Sequence, residues 1–337
     1  MNVMVCGGAG YIGSNMVALL AQAGHSPVVY DNLSKGHRAA IGDARLVEGD
    51  LADCDHIVET ITANSVEAVM HFAAFIEVGE SVQEPLRYYH NNVCNTHSLL
   101  RALERTRVRK LVFSSTAATY GMPERVPIHE DLSKHPVNPY GETKWASERM
   151  LHWQTQTGKL SYAALRYFNA CGAGSEGRRG EDHQPETHLI PLIIQAALGQ
   201  RPDIKIFGTD YETPDGTCIR DYIHVEDLCR AHLLALDRLD SEQELIYNLG
   251  NGSGYSVRQV IDTVKRVSGK TIRVTEAERR SGDPAVLTAD ATKARTELGW
   301  KTEHAALESI VASAWEFHSR HPQGYRDGEG GPGERPA

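Results

Sequence analysis

The 337-residue chain contains no apolar run long enough to cross a membrane as a helix. It has no excess of basic residues: 35 Lys and Arg stand against 44 Asp and Glu, a net charge of -9. That balance argues against nucleic acid or an anionic membrane as a partner. An anionic ligand would need arginines placed locally. Only six cysteines occur, Cys6, Cys54, Cys94, Cys171, Cys218 and Cys229, and none forms a C-x-x-C pair. No Cys/His grouping has zinc spacing, so no metal is expected, and scattered thiols fit a reducing compartment. The first residues enter a strand-like run at once, without a basic segment or cleavage site, and a cytoplasmic protein is expected. No internal repeat is present.

What the chain does have is alternation. Val3-Met4-Val5 reads as a buried strand running into Gly7-Gly8-Ala9-Gly10-Tyr11-Ile12-Gly13, then an amphipathic helix to about residue 23. Glycines at this spacing let a backbone approach a pyrophosphate, and the helix N-terminus supplies positive dipole. A second strand at 27–30 ends in Asp31-Asn32. Asp31 lies where a carboxylate binds the adenosine ribose hydroxyls and repels a 2′-phosphate, which favours NAD over NADP. A strand at 44–47 leads to Asp50-Leu51, with Asp50 in reach of the adenine amino group. Past a helix at 53–63, a strand at 68–72 ends in Phe72-Ala73-Ala74, whose small residues let a cofactor lie close. A long helix is expected over 85–105, carrying Asn91 early. Further strands at 110–114, leading into Ser114-Ser115-Thr116, and at 162–168, ending in Phe168-Asn169, make six. Such alternation implies an α/β protein with a Rossmann-type, doubly wound parallel sheet, and ligands bind at the carboxyl ends of its strands.

The run Asn138-Pro139-Tyr140-Gly141-Glu142-Thr143-Lys144 opens a helix, with Asn138 as cap and Pro139 at the first position. Tyr140 and Lys144, four apart, share a face. Free tyrosine has a pKa near ~10 and is a poor base at neutral pH. A cation at about 4 Å in a medium of effective dielectric ~20 supplies roughly the 4 kcal/mol needed to lower it by three units. Lys144 is therefore expected to activate Tyr140.

Residues 1–173 read as an NAD-binding Rossmann domain. Residues 174–321 read mainly as a smaller α/β substrate-binding domain, with a segment at about 219–250 returning to pack on the first. Residues 322–337, rich in Pro, Gly and charge, are expected to be disordered.

Together these motifs resemble the extended short-chain dehydrogenase/reductase family. Within it, the chain is similar to the UDP-glucose 4-epimerases through His71-Phe72-Ala73-Ala74, Val78-Gly79-Glu80-Ser81-Val82, Arg166-Tyr167-Phe168-Asn169, Arg220-Asp221-Tyr222-Ile223-His224-Val225 and Tyr247-Asn248-Leu249-Gly250. The resemblance implies a bound NAD held by Gly7, Gly10, Tyr11, Ile12, Gly13, Asp31, Asn32, Asp50, Leu51, Phe72, Ala73, Ala74, Asn91, Ser114, Tyr140, Lys144 and Phe168. It implies Tyr140 as base, Thr116 on the sugar 4-oxygen and Lys144 on the nicotinamide ribose. It implies a UDP-sugar substrate touching Thr116, Tyr140, Asn169, His188, Leu189, Phe207, Arg220, Arg280 and Asp283, with the two arginines on the diphosphate. It further implies a homodimer built on helices at 86–105 and 140–157.

Three positions depart from or qualify the pattern. Thr116 stands where many epimerases carry serine and keeps the hydroxyl. Ile76 stands where some members carry a lysine facing the cofactor phosphates, so weaker NAD retention is expected. Leu287 occupies the position that gates N-acetylated sugars; its intermediate size favours plain UDP-hexoses. Ala117-Ala118 occupy the place of the acid/base pair of nucleotide-sugar dehydratases, so elimination has no proton carriers there. Epimerisation of another UDP-sugar (UDP-N-acetylhexosamine, UDP-xylose/arabinose or UDP-glucuronate) is the alternative. A non-catalytic NAD sensor is a further one, disfavoured because Tyr140 and Lys144 are both present.

Overall fold

The computed structural model describes residues 1–280 and 282–325. Its strands are β1 (Asn2–Cys6), β2 (Ser26–Asp31), β3 (Arg45–Glu48), β4 (Ala68–His71), β5 (Lys110–Thr116), β6 (Ser161–Tyr167) and β7 (Asn169–Cys171). Beyond them lie β8 (Ile204–Phe207), β9 (Ile219–Arg220), β10 (Tyr222–His224), β11 (Glu244–Leu249), β12 (Tyr255–Ser256), β13 (Val274–Ala277) and β14 (Val286–Leu287). Seven of these form one sheet in the order β11-β6-β5-β4-β1-β2-β3, every pair parallel. β1 and β4 are buried along nearly their whole length, as a sheet covered by helices on both faces requires. The chain winds outward from β1 to β3, then crosses back to β4 on the other side of β1. The order therefore reverses between β1 and β4, and a crevice opens at their carboxyl ends.

Two apolar clusters flank this sheet. One includes Val3, Val5, Met16, Leu20, Leu228, Leu245 and Trp300; the other includes Met4, Val69, Leu99, Leu103 and Phe113. A third cluster, with Ile193, Ile194, Val260, Ile310 and Val311, fills a smaller body built on the Leu189–Ala197, Val257–Ser268 and Leu307–Arg320 helices. The smaller body carries two short sheets, β12-β9-β14 and β13-β8. The late chain divides between the two bodies. The Val225–Arg238 helix and β11 pack on the large sheet, and so do Leu298 and Trp300, whose indole donates to Asp227 O at 2.8 Å. The sequence reading had left those last residues with the smaller domain.

The long helix expected over 85–105 is broken. Pro85–Tyr88 is helical, Tyr89–Cys94 forms a wider π turn, and Asn95–Thr106 resumes the α-helix. The buried Asn92 sits at the bulge. Its amide accepts from Phe75 N at 2.9 Å and donates to Phe75 O at 3.0 Å and to Thr143 Oγ1 at 3.0 Å. It ties the strand-end loop after β4 to the helix that carries Tyr140. π-bulges commonly occur at functional sites.

The expectation of disorder from residue 322 does not hold for 322–325. Tyr325 N donates to Asp182 Oδ2 at 2.8 Å, its hydroxyl accepts from Gly180 N at 3.0 Å, and its ring packs beside Phe317. An aromatic ring with its polar edge satisfied outweighs the cost of ordering so short a stretch. The rest of that expectation falls on residues outside those described.

Candidate active site

A cleft of about 1180 Å³ runs along the carboxyl ends of β1, β2, β4 and β5 and is closed on its far side by residues of the smaller body. Its floor is the glycine turn. Gly7 has φ +74°, and a Cβ there would stand 2.5 Å from Ala73 N; at Gly13 it would stand 2.1 Å from Gly7 O. The turn is thus closed against its neighbours, while Gly10 faces nothing nearer than Gly7 O at 3.4 Å. Gly10 caps the Tyr11–Gln22 helix without any side-chain bond, so its first N–H groups point uncapped at the cleft. That is a cradle of the size and charge for a pyrophosphate.

At the tip of β2, Asp31 accepts from Ala9 N and Leu33 N, each at 2.9 Å. Burial pushes its carboxyl up from the usual range, against the pull of those two bonds. Two bonds leave carboxylate lone pairs free for ribose hydroxyls. Asn32 donates to Asp50 Oδ2 at 2.8 Å and joins the two strand ends that would flank an adenosine. Leu51, Phe72, Ala73, Ala74, Asn91, Ser114 and Phe168 also line the cleft. Uncapped helix N-terminus, glycine floor and Asp31 fit a dinucleotide without a 2′-phosphate.

Tyr140 stands in the first turn of the Pro139–Gln156 helix, whose cap Asn138 accepts from Gly141 N at 2.9 Å. It lines the cleft together with Thr116. Protein packed around the phenol pushes its pKa up to about 12, the Thr116 hydrogen bond pulls it down, and Glu77 adds to the rise. Lys144 lies beneath, 3% exposed, and its Nζ donates to Ser114 O at 2.9 Å. Burial lowers Lys144 to about 7, and Glu148 one turn further on opposes that drop. Lys144, expected to activate Tyr140, has its Nζ on Ser114 O of β5, and in the cofactor-free protein the contact that pulls the Tyr140 phenol down is Thr116.

On the opposite wall, Arg220 and Asp283, each expected to meet substrate, form an ion pair with one another, and Arg220 Nη1 also donates to Ile219 O at 2.8 Å. Arg280 lies over the Phe207 ring, 4.2 Å from its centroid. Phe207 is therefore behind the arginine and not on the cleft surface. Leu189 likewise turns inward, against the core of the smaller body. Asn169 lines the cleft and donates to Asp221 O at 2.7 Å, and Leu287 lines it on β14. His188 lines it too, its Nδ1 2.7 Å from Glu181 Oε1. Burial works to raise Glu181, but His188 and His183 outweigh it and hold the carboxyl well below the usual range. The same carboxylates hold His188 well above the ordinary imidazole range against burial.

Lys35 is a cleft residue that sequence reasoning did not single out. Lys35 Nζ donates to Gln184 O at 3.0 Å and lies 3.5 Å from Glu77 Oε1, so it spans the mouth of the dinucleotide crevice. Its position in the loop just past Asp31-Asn32 was the available signal.

The sequence profile of the NAD dependent epimerase/dehydratase family matches residues 3–250. The chain belongs to that family. Among its members, the UDP-glucose 4-epimerase of Halalkalibacterium halodurans is 52% identical over 327 residues, covering 96% of this chain and 98% of the relative. A crystal structure of UDP-glucose 4-epimerase from Brucella ovis in complex with NAD superposes with a TM-score of 0.92 at 49% identity, covering 94% of this chain and 98% of that one. One from Bifidobacterium longum in complex with NAD+ and UDP gives 0.91 at 36% identity, covering 96% and 100%. The glycine turn and Asp31 lie at one end of the cleft. Thr116 and Tyr140 stand where that end meets the wall carrying Arg220 and Arg280.

Proposed function

We propose that this protein interconverts UDP-glucose and UDP-galactose by transient oxidation at C4. The observation that carries this reading is the juxtaposition of Tyr140 and Thr116 on one wall of a cleft whose floor fits NAD and whose far wall carries two arginines. NAD held at the glycine turn and Asp31 would supply the hydride acceptor and donor for C4. Tyr140 acts as the phenolate, a form that the positive charge of an oxidised nicotinamide beside it would favour; it receives the proton of the 4-hydroxyl and returns it. Thr116 hydrogen-bonds the phenol, and its hydroxyl orients the sugar oxygen. Lys144 holds the nicotinamide ribose from below. Arg280, flattened on Phe207, and Arg220, pre-set by Asp283, meet the diphosphate.

Leu287 supports plain UDP-hexoses as substrates. Turnover of UDP-N-acetylgalactosamine at a rate comparable to UDP-galactose would overturn that choice. Two copies associate through the Pro85–Thr106 and Pro139–Gln156 stretches, a reading supported by Leu86 and Trp153, which leave 82% and 60% of their surface exposed. The six free cysteines favour a cytoplasmic setting. No helix among the described residues is long and apolar enough to cross a membrane. The test of the reaction is direct. Purified protein without added cofactor is given UDP-galactose and the products are separated; UDP-glucose is expected, and unchanged substrate with NAD supplied would refute the reading.

A further inference from the structure

Four side chains from residues 181–188 converge on one point beside the cleft: Glu181, His183, Glu186 and His188, whose ligand atoms all lie within 4.8 Å of one another. His188 Nδ1 lies 2.7 Å from Glu181 Oε1 and 3.0 Å from Glu186 Oε1. His183 Nδ1 lies 3.2 Å from the same Glu181 oxygen. That nitrogen is sealed from solvent, yet its geometry makes no hydrogen bond. The two carboxylates are 5% exposed, a costly arrangement that the facing imidazoles, when protonated, or a bound cation would offset.

These separations have a chemical meaning. A tetrahedral zinc-type ion with bonds of about 2.0–2.1 Å places its ligand atoms about 3.3 Å apart. The three contacts at 2.7, 3.0 and 3.2 Å need a few tenths of an ångström of outward adjustment to reach that, and the remaining pairs lie within 4.8 Å. Two carboxylates and two neutral imidazoles carry a charge that a divalent ion cancels. Imidazole nitrogens select zinc, cobalt or nickel over magnesium and calcium. Glu186 Oε1 accepts from Thr187 N and His188 N at 2.7 and 2.8 Å, which fixes the carboxylate and leaves Oε2 as its donor to an ion.

A second group of this kind, His224, Glu226 and His304, is already committed elsewhere. His224 Nε2 pairs with Ser313 Oγ and its Nδ1 accepts from Glu226 N, while Glu226 takes both polar groups of Ser175. It serves as the control.

We propose that Glu181, His183, Glu186 and His188 form a binding site for a divalent cation of the zinc class. The ion closes the 181–188 segment on itself at the cleft wall. It holds His188 through Nδ1, which leaves Nε2 as the one ring nitrogen available to the cleft.

The full-length protein, stripped with chelator, is titrated with cobalt(II). The expected result is a single equivalent giving the visible absorption of a tetrahedral site without thiolate charge-transfer bands, displaced by zinc. His183→Gln and Glu186→Gln are each expected to weaken binding at least tenfold, with near-UV circular dichroism unchanged in chelator, and His304→Gln is expected to bind as wild type. If His183→Gln does not fold, X-ray absorption of the metal-loaded wild type decides, with two imidazoles and two oxygen donors expected. The proposal fails if cobalt stays octahedral and weak, if thiolate bands appear, if His183→Gln binds as wild type, or if His304→Gln is the variant that loses the ion.

Discussion

Lys144 Nζ donates to Ser114 O at 2.9 Å, and this bond fixes the helix that carries Tyr140 against the end of β5. The lysine is buried and its pKa falls to about 7. Its folded value lies below the unfolded one, so between about 7 and the ordinary lysine range the unfolded chain holds more protons. Stability of the cofactor-free protein therefore rises with pH across that window on this group's account. Lys144→Met is expected to raise Tm by a few degrees at pH 7, with the gain shrinking towards pH 10, while turnover falls by about a hundredfold or more. Thermal melts at several pH values check the sign.

Glu148 and Arg166, each 1% exposed, form a two-point pair, with Nη2–Oε2 at 2.6 Å and Nε–Oε1 at 3.0 Å. Glu148 also accepts from Ser115 Oγ, and Arg166 donates to the Tyr120 hydroxyl at 2.9 Å. Arg166→Met leaves a buried carboxylate unpaired. It is expected to cost about 3–5 kcal/mol in urea unfolding, as removal of one partner from a buried pair does.

Asn92→Ala cuts three bonds between the π turn, Phe75 and Thr143. Both the loop beneath the cofactor and the Tyr140 helix are loosened. Faster NAD loss together with a lower kcat is expected, read by cofactor fluorescence after gel filtration and by a coupled assay. A loss of stability of about 1–3 kcal/mol, from buried groups left unsatisfied, accompanies it.

Lys35 spans the crevice near Ile76, the position where some relatives carry a lysine. The pair with Glu77 is partly exposed, and such pairs contribute less than about 1 kcal/mol. Lys35→Ala is therefore expected to speed NAD release by about three- to fivefold, measured by stopped-flow displacement, and Ile76→Lys to slow it. Stoichiometric NAD that survives dialysis of the wild type would contradict weak retention.

Much of this was legible in the chain. Strands ending in Gly7, Asp31, Ala73 and Thr116 mark a parallel sheet and its ligand edge, because hydrophobic runs and glycine spacing act locally. The π turn at Asn92 was not legible, since its cause is a pair of contacts to Phe75 and Thr143, remote in sequence. The Arg220–Asp283 pairing and the placement of Phe207 behind Arg280 are products of tertiary packing. The cluster at Glu181, His183, Glu186 and His188 lay outside a search for cysteine and histidine spacing, because half of its donors are carboxylates. The protonation balance at Tyr140 depends on burial and on Thr116, neither of which a four-residue spacing reports.

In the proposed reaction the Tyr140 oxygen carries the proton of the C4 hydroxyl. Tyr140→Phe keeps the ring and removes that oxygen alone. Assayed with UDP-galactose, the variant is expected to retain NAD and native stability while turnover falls by about a thousandfold or more. Turnover at the wild-type rate with NAD bound would contradict the account.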